Sequence, residues 1–368
     1  MKKPKLLLTG GHAGSTAYAL ITELKRQKKN WELFWIGPST SLEGKNLKPL
    51  EHSIFPEMNV KSYVLKSGRI QRRFTRWTIP SILKIPIGFL EALYLVLKIM
   101  PDVVLSFGGY TAFPVVFWAW VMRKPIIIHE QTAAAGRANI FSAFFSSKIA
   151  LSRTTSEKYF PKSKVIISGN PVEKNILKIG PKKSWGNPPT ILITGGHTGS
   201  VVINDVILKI LRRLLLDYVV IHQCGDLEYD KFIKIKDSLT LKEKKRYFVY
   251  GTISPLDWPE TLEKADLIVS RGGANTVSQI MIIKRPAILI PIPFAYLNEQ
   301  MENSVYARDF GIAEIIDQKE LSPEVLLSEI NKLSKSTRKM IDKVKEKKSP
   351  DESASSKLIA LIENFIRN

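Results

Sequence analysis

A chain of 368 residues, 44% hydrophobic, 24% charged and 9% aromatic, has the composition of a globular protein with enough sequence for two domains. A disordered chain and a disulfide-stapled miniprotein are both excluded. The 55 lysines and arginines outnumber the 34 acids to give a formal charge of +21, which points to an anionic partner such as nucleic acid, acidic lipid or a phosphorylated substrate. The single cysteine, Cys224, leaves no disulfide framework and no four-cysteine zinc site, and fits a reducing compartment.

From the N-terminus, Lys2-Lys3-Pro4-Lys5 and Leu6-Leu7-Leu8 imitate the head of an export signal. Thr9-Gly10-Gly11-His12 stops the apolar run after three leucines, short of the roughly 7 to 15 residues such a signal needs. The reading is a β-strand over 5–8 that enters a glycine turn, then a helical pattern and a second buried strand over 33–36. Between Glu57 and Glu91 the chain carries no acid, while Lys61, Lys66, Arg69, Arg72, Arg73, Arg76 and Lys84 are interleaved with Phe74, Trp77, Ile79 and Ile82. Bases beside apolar and aromatic residues suit an element lying in a membrane interface, with the charges on acidic head groups. Pro80 and Pro86 argue against one long helix there. The apolar stretches 85–100 and 112–122 are broken or ended by Glu91, Lys98 and Arg123-Lys124, below the roughly 18 uninterrupted residues of a spanning helix. Strands follow over 103–106, 126–129, 149–152 and 165–168.

At mid-chain the opening turn returns. Thr9-Gly10-Gly11-His12-Ala13-Gly14-Ser15 and Thr194-Gly195-Gly196-His197-Thr198-Gly199-Ser200 differ at one position, and each copy follows a β-type run and precedes a helical one. Strand, glycine turn and helix begin a doubly wound α/β domain, so the duplication predicts two such domains with parallel sheets. Their expected extents are 1–180 and 181–349, joined by the breaker-rich stretch from Gly180-Pro181 to Pro188-Pro189, with 350–368 as a C-terminal helix packing back on the first domain. In the second half, 190–193, 219–223, 248–250, 267–270, 288–290 and 313–316 read as strands. Ser322-Pro323-Glu324 and Ser349-Pro350-Asp351-Glu352 each open a closing helix with a capping serine, a proline and first-turn acid.

A glycine turn entering a helix brings backbone amides to phosphate oxygens at the positive end of the helix dipole. A nicotinamide dehydrogenase adds an acid at the end of the second strand to grip ribose, and Phe34-Trp35-Ile36-Gly37 has none. Denser polar chemistry lies in Ser270-Arg271-Gly272-Gly273-Ala274-Asn275-Thr276-Val277-Ser278-Gln279. It continues in Asn298-Glu299-Gln300-Met301-Glu302-Asn303, where Glu299, Gln300 and Asn303 share a helical face. Both segments converge on the carboxyl edge of a parallel sheet, where open α/β sheets bind ligands.

Taken in order, Pro101-Asp102-Val103-Val104-Leu105-Ser106-Phe107-Gly108-Gly109-Tyr110, His129-Glu130-Gln131-Thr132, Gly169-Asn170-Pro171-Val172, Ile221-His222-Gln223, the 270–279 segment and Gln300 to Asn303 resemble the MurG family of N-acetylglucosaminyltransferases. That family has two Rossmann-like doubly wound domains facing a central cleft, the GT-B fold. The resemblance implies inverting, metal-independent transfer of N-acetylglucosamine from its UDP derivative to the 4-hydroxyl of a muramoyl sugar on a polyprenyl diphosphate. The implied setting is peptidoglycan synthesis, peripheral to the cytoplasmic face of the bacterial plasma membrane. UDP-N-acetylglucosamine is then a substrate, and neither cofactor nor metal is expected. With no D-x-D to carry a divalent ion, helix ends and amides would stabilise the leaving diphosphate. By motif position the second domain would hold the donor through His197, Thr198, Gly199, Ala274, Asn275, Thr276, Val277, Ser278, Gln279, Glu299, Gln300 and Asn303. Thr132 and Glu173 take further family contact positions, and His12, Ala13 and Gly14 would face the reacting centre. Arg69, Arg72, Arg73, Phe74, Arg76, Trp77, Ile79, Ile82 and Lys84 would dock on an anionic membrane.

Departures from the family pattern bear on the chemistry. Ser15 stands where the family has a histidine, so the general base passes to His12, with Ser15 beside it. Gln279 replaces a ribose-binding glutamate, and Glu173 an arginine that meets the donor; His197 and Glu299 are further replacements. The rival readings are a UDP-sugar epimerase of similar build, and a diverged paralogue with another acceptor or no activity. Nucleic-acid binding has no zinc-finger spacing, RNP-type motif or recognition helix behind it.

Overall fold

The computed structural model describes residues 3–11, 13–40, 49, 51–68, 78–182, 184–196 and 198–367. The chain divides into two compact units, residues 1–174 with 350–368, and residues 175–349.

The first unit is built on seven strands, β1 (Lys5–Thr9), β2 (Glu32–Pro38), β3 (Lys61–Leu65), β4 (Val103–Ser106), β5 (Ile126–Glu130), β6 (Lys148–Leu151) and β7 (Val165–Ile167), all parallel, in the order β3-β2-β1-β4-β5-β6-β7. Its connections carry α1 (Gly14–Arg26), α2 (Glu51–Glu57), α3 (Thr78–Ile99), α4 (Ala112–Val121) and α5 (Arg137–Ser142). Leu6, Leu7, Leu8, Val103, Val104 and Leu105 are fully buried, because a sheet covered on both faces needs unbroken apolar strands. The two-residue period sends Leu6 and Leu8 into the layer of α1, and Leu7 into the layer of α3 and α4. Strand β3 escapes a sequence reading: it is an edge strand pairing with β2, and only Leu65 in it is buried. Helix α3 runs unbroken through both prolines, which corrects the expectation of an interruption. Pro80 lies in the first turn, where no N–H is needed, and Pro86 orphans the carbonyl of Ile82 on an exposed face open to water.

The second unit begins within α6 (Lys174–Leu177) and holds β8 (Thr190–Thr194), α7 (Val201–Asp217), β9 (Val219–Gln223), α8 (Tyr229–Asp237), α9 (Leu241–Lys244), β10 (Tyr247–Tyr250) and α10 (Trp258–Lys264). It continues with β11 (Leu267–Ser270), α11 (Ala274–Ile283), β12 (Ala287–Leu289), α12 (Glu299–Phe310), β13 (Ala313–Ile315) and α13 (Pro323–Val344). Its six parallel strands take the order β10-β9-β8-β11-β12-β13. The breaker-rich stretch after Gly180 is fastened to this unit. Arg285 Nη1 donates to the Gly180 carbonyl (3.0 Å), and buried Asp266 accepts from Lys182 Nζ (2.6 Å) and the Thr190 amide (2.7 Å).

The chain ends in the first unit. A 3-10 turn, Pro350–Ser353, leads to α14 (Ala354–Arg367), whose Leu358, Ile359 and Ile362 complete the core beside α1. Asp351 is an acid of that 3-10 turn. It is buried, accepts Arg153 Nη1 at 2.6 Å and Nη2 at 2.8 Å, and takes the Asn170 amide at 2.7 Å.

Candidate active site

In the second unit, the repeated turn closes on itself between β8 and α7. Thr194 Oγ1 donates to Gln223 Oε1 (2.9 Å) and accepts the Gly196 amide (3.0 Å), while the Gly199 amide donates to the Gly196 carbonyl (3.0 Å). Gly199 has φ +74°, and a Cβ there would lie 2.0 Å from the Cys224 carbonyl, so the turn abuts the end of β9 and admits only glycine. Ser200 caps α7, and its Oγ also accepts Arg271 Nε (3.1 Å) and Nη2 (2.8 Å); Arg271 Nη1 donates to the Ile290 carbonyl (2.9 Å). Burial lowers the Arg271 pKa to about 10, which still leaves a fixed positive charge at the turn. Thr198 is exposed; His197 lies outside the described residues.

Beneath this turn lies a neutral scaffold. Burial pushes His222 down to about 3, so its ring carries one N–H. Nε2 donates to Asn204 Oδ1 (3.0 Å), Nδ1 accepts from the Tyr247 hydroxyl (3.0 Å), and Asn204 Nδ2 donates to the Cys224 carbonyl (2.8 Å). Cys224 is buried and its thiol is pushed up to about 11, an inert position.

The second amide-lined turn follows β11. Gly273 caps α11 without a side-chain hydrogen bond, at the positive end of that helix's dipole. Val277 and Ser278 are buried, so their side chains belong to the core; Ala274, Asn275, Thr276 and Gln279 are partly exposed. Gln279 Oε1 accepts from Trp258 Nε1 at 2.9 Å. Its free end is therefore an N–H donor, the reverse of what a carboxylate would offer. Gln300 Oε1 accepts the Ile292 amide (3.2 Å) and Asn303 Nδ2 donates to the Gly272 carbonyl (3.1 Å), so both amides hold loops at this edge. Leu297 and Asn298 take left-handed φ values of 49° and 54° directly before α12, and Glu299 is partly exposed in its first turn. Such strain persists where a fold over-determines it, commonly beside a ligand.

In the first unit, the corresponding turn lies between β1 and α1. The Gly11 amide donates to the Gly108 carbonyl (2.9 Å), and Gly109, at φ +92°, has no room for a Cβ, which would lie 2.7 Å from Gly11 Cα. The Gly108-Gly109 pair thus lets two turns meet backbone to backbone. His12 lies outside the described residues. Ala13 is buried, so only its backbone is available, and Ser15 is exposed in the first turn of α1. Glu130 is consumed by its own loop: Oε1 accepts the Thr132 amide (3.0 Å) and Oγ1 (2.8 Å), Oε2 the Gly136 amide (2.8 Å) and Asn139 Nδ2 (2.9 Å). Thr132 therefore shapes the loop after β5. His129 Nε2 donates to the Gly169 carbonyl (3.0 Å), and burial pushes its pKa to about 4. Glu173 faces α1, where burial first and the Glu173 carboxylate second raise the Tyr18 phenol.

Sequence reasoning did not single out Glu51 or Trp258. Both open helices, and an acid in a first turn carries no signal beyond the helix dipole. Nor was the extent of the apolar face on α3 foreseen. Ile79, Leu83, Ile87, Leu90, Tyr94 and Leu97 recur every three or four residues along it, with Ile82 beside Leu83, and all are exposed, while Ser81, Ala92, Leu95, Val96 and Ile99 face the core. Trp118 Nε1 ties α4 to the Phe89 carbonyl of α3 (2.8 Å), and Trp120 on α4 and Phe141 and Phe144 at and after α5 are exposed too. Lys84 is exposed on α3; Arg69, Arg72, Arg73, Phe74, Arg76 and Trp77 lie outside the described residues. No described helix is long and apolar enough to cross a membrane.

Residues 6–151 match the glycosyltransferase family 28 N-terminal domain, and residues 190–359 its C-terminal domain. The UDP-N-acetylglucosamine–N-acetylmuramyl-(pentapeptide) pyrophosphoryl-undecaprenol N-acetylglucosamine transferase of Legionella pneumophila (strain Paris) is 30% identical over 368 residues, covering 98% of this chain and 96% of the relative. Among solved structures, MurG of Acinetobacter baumannii superposes with a TM-score of 0.69 at 23% identity, covering 99% of this chain and 100% of that one. The UDP-GlcNAc 2-epimerase of Methanocaldococcus jannaschii, in complex with UDP-GlcNAc and UDP, does so with a TM-score of 0.62 at 14% identity, covering 98% and 99%. At these identities the two structures speak for the fold.

Proposed function

The chain belongs to glycosyltransferase family 28, and from that premise we propose that it is a hexosyltransferase moving N-acetylglucosamine from UDP-N-acetylglucosamine to the muramoyl sugar of a polyprenyl-diphosphate-linked acceptor in peptidoglycan synthesis. The observation that carries this reading is kinship along nearly the whole chain with a transferase of that name.

The second unit takes the donor. The N-terminal ends of α7 and α11, each entered through a glycine turn, meet the diphosphate. The charge on Arg271, held at Ser200, adds to them. As the glycosidic bond to the diphosphate breaks, negative charge collects on the departing oxygen, and donors already in place stabilise it without reorganising. Thr276, Gln279, Glu299 and Gln300 would take ribose and sugar hydroxyls, and His197 and Thr198 the diphosphate. The first unit takes the acceptor at the turn of His12, Ala13, Gly14 and Ser15, with the Thr132 loop alongside.

The exposed face of α3 rests on an anionic membrane surface, as a peripheral protein at the cytoplasmic side. Its apolar residues enter the acyl boundary, and Lys84 with the basic segment before it meets head groups. A lipid-linked acceptor never leaves that surface, so docking there places the first unit beside its substrate.

The test is incubation of the purified chain with radiolabelled UDP-N-acetylglucosamine and a short-chain analogue of the lipid-linked muramoyl acceptor. Label in a disaccharide product is expected. A 2-epimerised nucleotide sugar formed without acceptor would replace the reading with the epimerase one, and donor binding without turnover would refute catalysis.

A further inference from the structure

Inverting transfer needs a group to take the proton of the attacking hydroxyl, and the described residues of the first glycine turn offer only amides and the Ser15 hydroxyl, which is no base. A carboxyl stands against that turn. Glu51, the first residue of α2, is 4% exposed. A Cβ built on Gly14, the first residue of α1, would lie 2.8 Å from Glu51 Cδ and 3.1 Å from its Oε1. Glycine at 14 thus makes the room that the carboxyl fills, on the side of the turn where α1 presents its N-terminal end without a side-chain cap. Among the described residues no cation pairs with Glu51.

From this juxtaposition we infer that Glu51 is the general base of the transfer; the sequence reading gave that role to His12, which lies outside the described residues. The inference rests on the transferase reading above. In the step, the acceptor hydroxyl oxygen bonds to the anomeric carbon while the bond from that carbon to the diphosphate oxygen breaks and its electron pair leaves with UDP. The hydroxyl proton passes to the Glu51 carboxylate and from there to solvent. Burial holds this carboxyl above the usual carboxylate range, which brings its basicity nearer to working pH, where a general base is most effective. A buried carboxyl with no counter-ion among the described residues is also a stability cost that a fold retains only for a reason.

That cost supplies the test. In the full chain, Glu51→Gln keeps the shape and removes the base. The expected result is kcat down by about 100-fold or more, with UDP affinity within about twofold of wild type and a melting temperature equal to or above it. Glu51→Asp, a carboxylate one methylene shorter, is expected to keep fold and UDP affinity while losing only part of kcat. Transfer by Glu51→Gln within about threefold of wild type would overturn the assignment. So would a loss of melting temperature and UDP affinity in step with transfer for both variants, since the carboxyl would then be supporting the turn. A wild-type chain that binds UDP but transfers nothing would strike the transferase reading itself, whereas an active wild type with an equally active Glu51→Gln strikes Glu51 alone.

Discussion

Replacing Leu83 and Leu90 together by serine tests whether the outer face of α3 holds the membrane. The two side chains are 67% and 66% exposed, so the folded protein gains little from them. Full withdrawal of a leucine from water is worth ~1.5–3 kcal/mol, and two-thirds of that for each residue sums to ~2–4 kcal/mol. At 1.4 kcal/mol per factor of ten, partition onto vesicles should weaken by about 30- to 1,000-fold. The melting temperature should stay put, because exposed substitutions usually fall within about 0.5 kcal/mol. Flotation with vesicles rich in phosphatidylglycerol measures the partition, and a short-chain water-soluble acceptor separates docking from chemistry: transfer to it should be unchanged while transfer to a vesicle-embedded acceptor falls. Lys84→Gln should weaken binding to anionic vesicles and leave neutral ones unaffected. A double variant that floats as the parent does would refute the assignment of this face.

Asp351→Asn removes the carboxylate that accepts Arg153 twice and the Asn170 amide once; leaving that arginine buried should cost roughly 3–5 kcal/mol in urea unfolding, and a loss below about 1 kcal/mol would show the pair to be dispensable. Gly199→Ala forces a Cβ toward the Cys224 carbonyl, 2.0 Å away, at φ +74°, and should weaken UDP binding by about tenfold or more by displacing the turn; unchanged calorimetry would place the diphosphate elsewhere. His129 and His222 are neutral in the fold down to about 4 and about 3. Above about pH 6.5 folded and unfolded chains hold the same protons at these sites; below it the unfolded chain binds more, so stability falls with pH, by roughly 2 kcal/mol per histidine at pH 5. Urea midpoints that stay flat from pH 7 to pH 5 would contradict their buried, neutral state.

The duplicated glycine turn and the all-apolar strands made two parallel-sheet units legible from residue order alone, since both are local patterns with a fixed period. The same holds for the polar segments at 270–279 and 299–303, which close local loops at the sheet edge. Strand β3 was not legible, because an edge strand buries too little to show a run. The run of α3 through Pro86 was not legible either, since water on its exposed side substitutes for the lost hydrogen bond.

Residue order by itself determined the architecture, the paired glycine turns and the kinship. Only the tertiary structure decided which side chains complete them: Glu51 against Gly14, Trp258 on the Gln279 amide, and Asp351 on an arginine 198 residues away. Backbone pattern is written in neighbours three or four positions apart, whereas the environment of a charged or amide side chain is set by whichever distant segments pack around it. A first-turn acid therefore reads the same in sequence whether it ends in water, in a buried ion pair or buried against a turn.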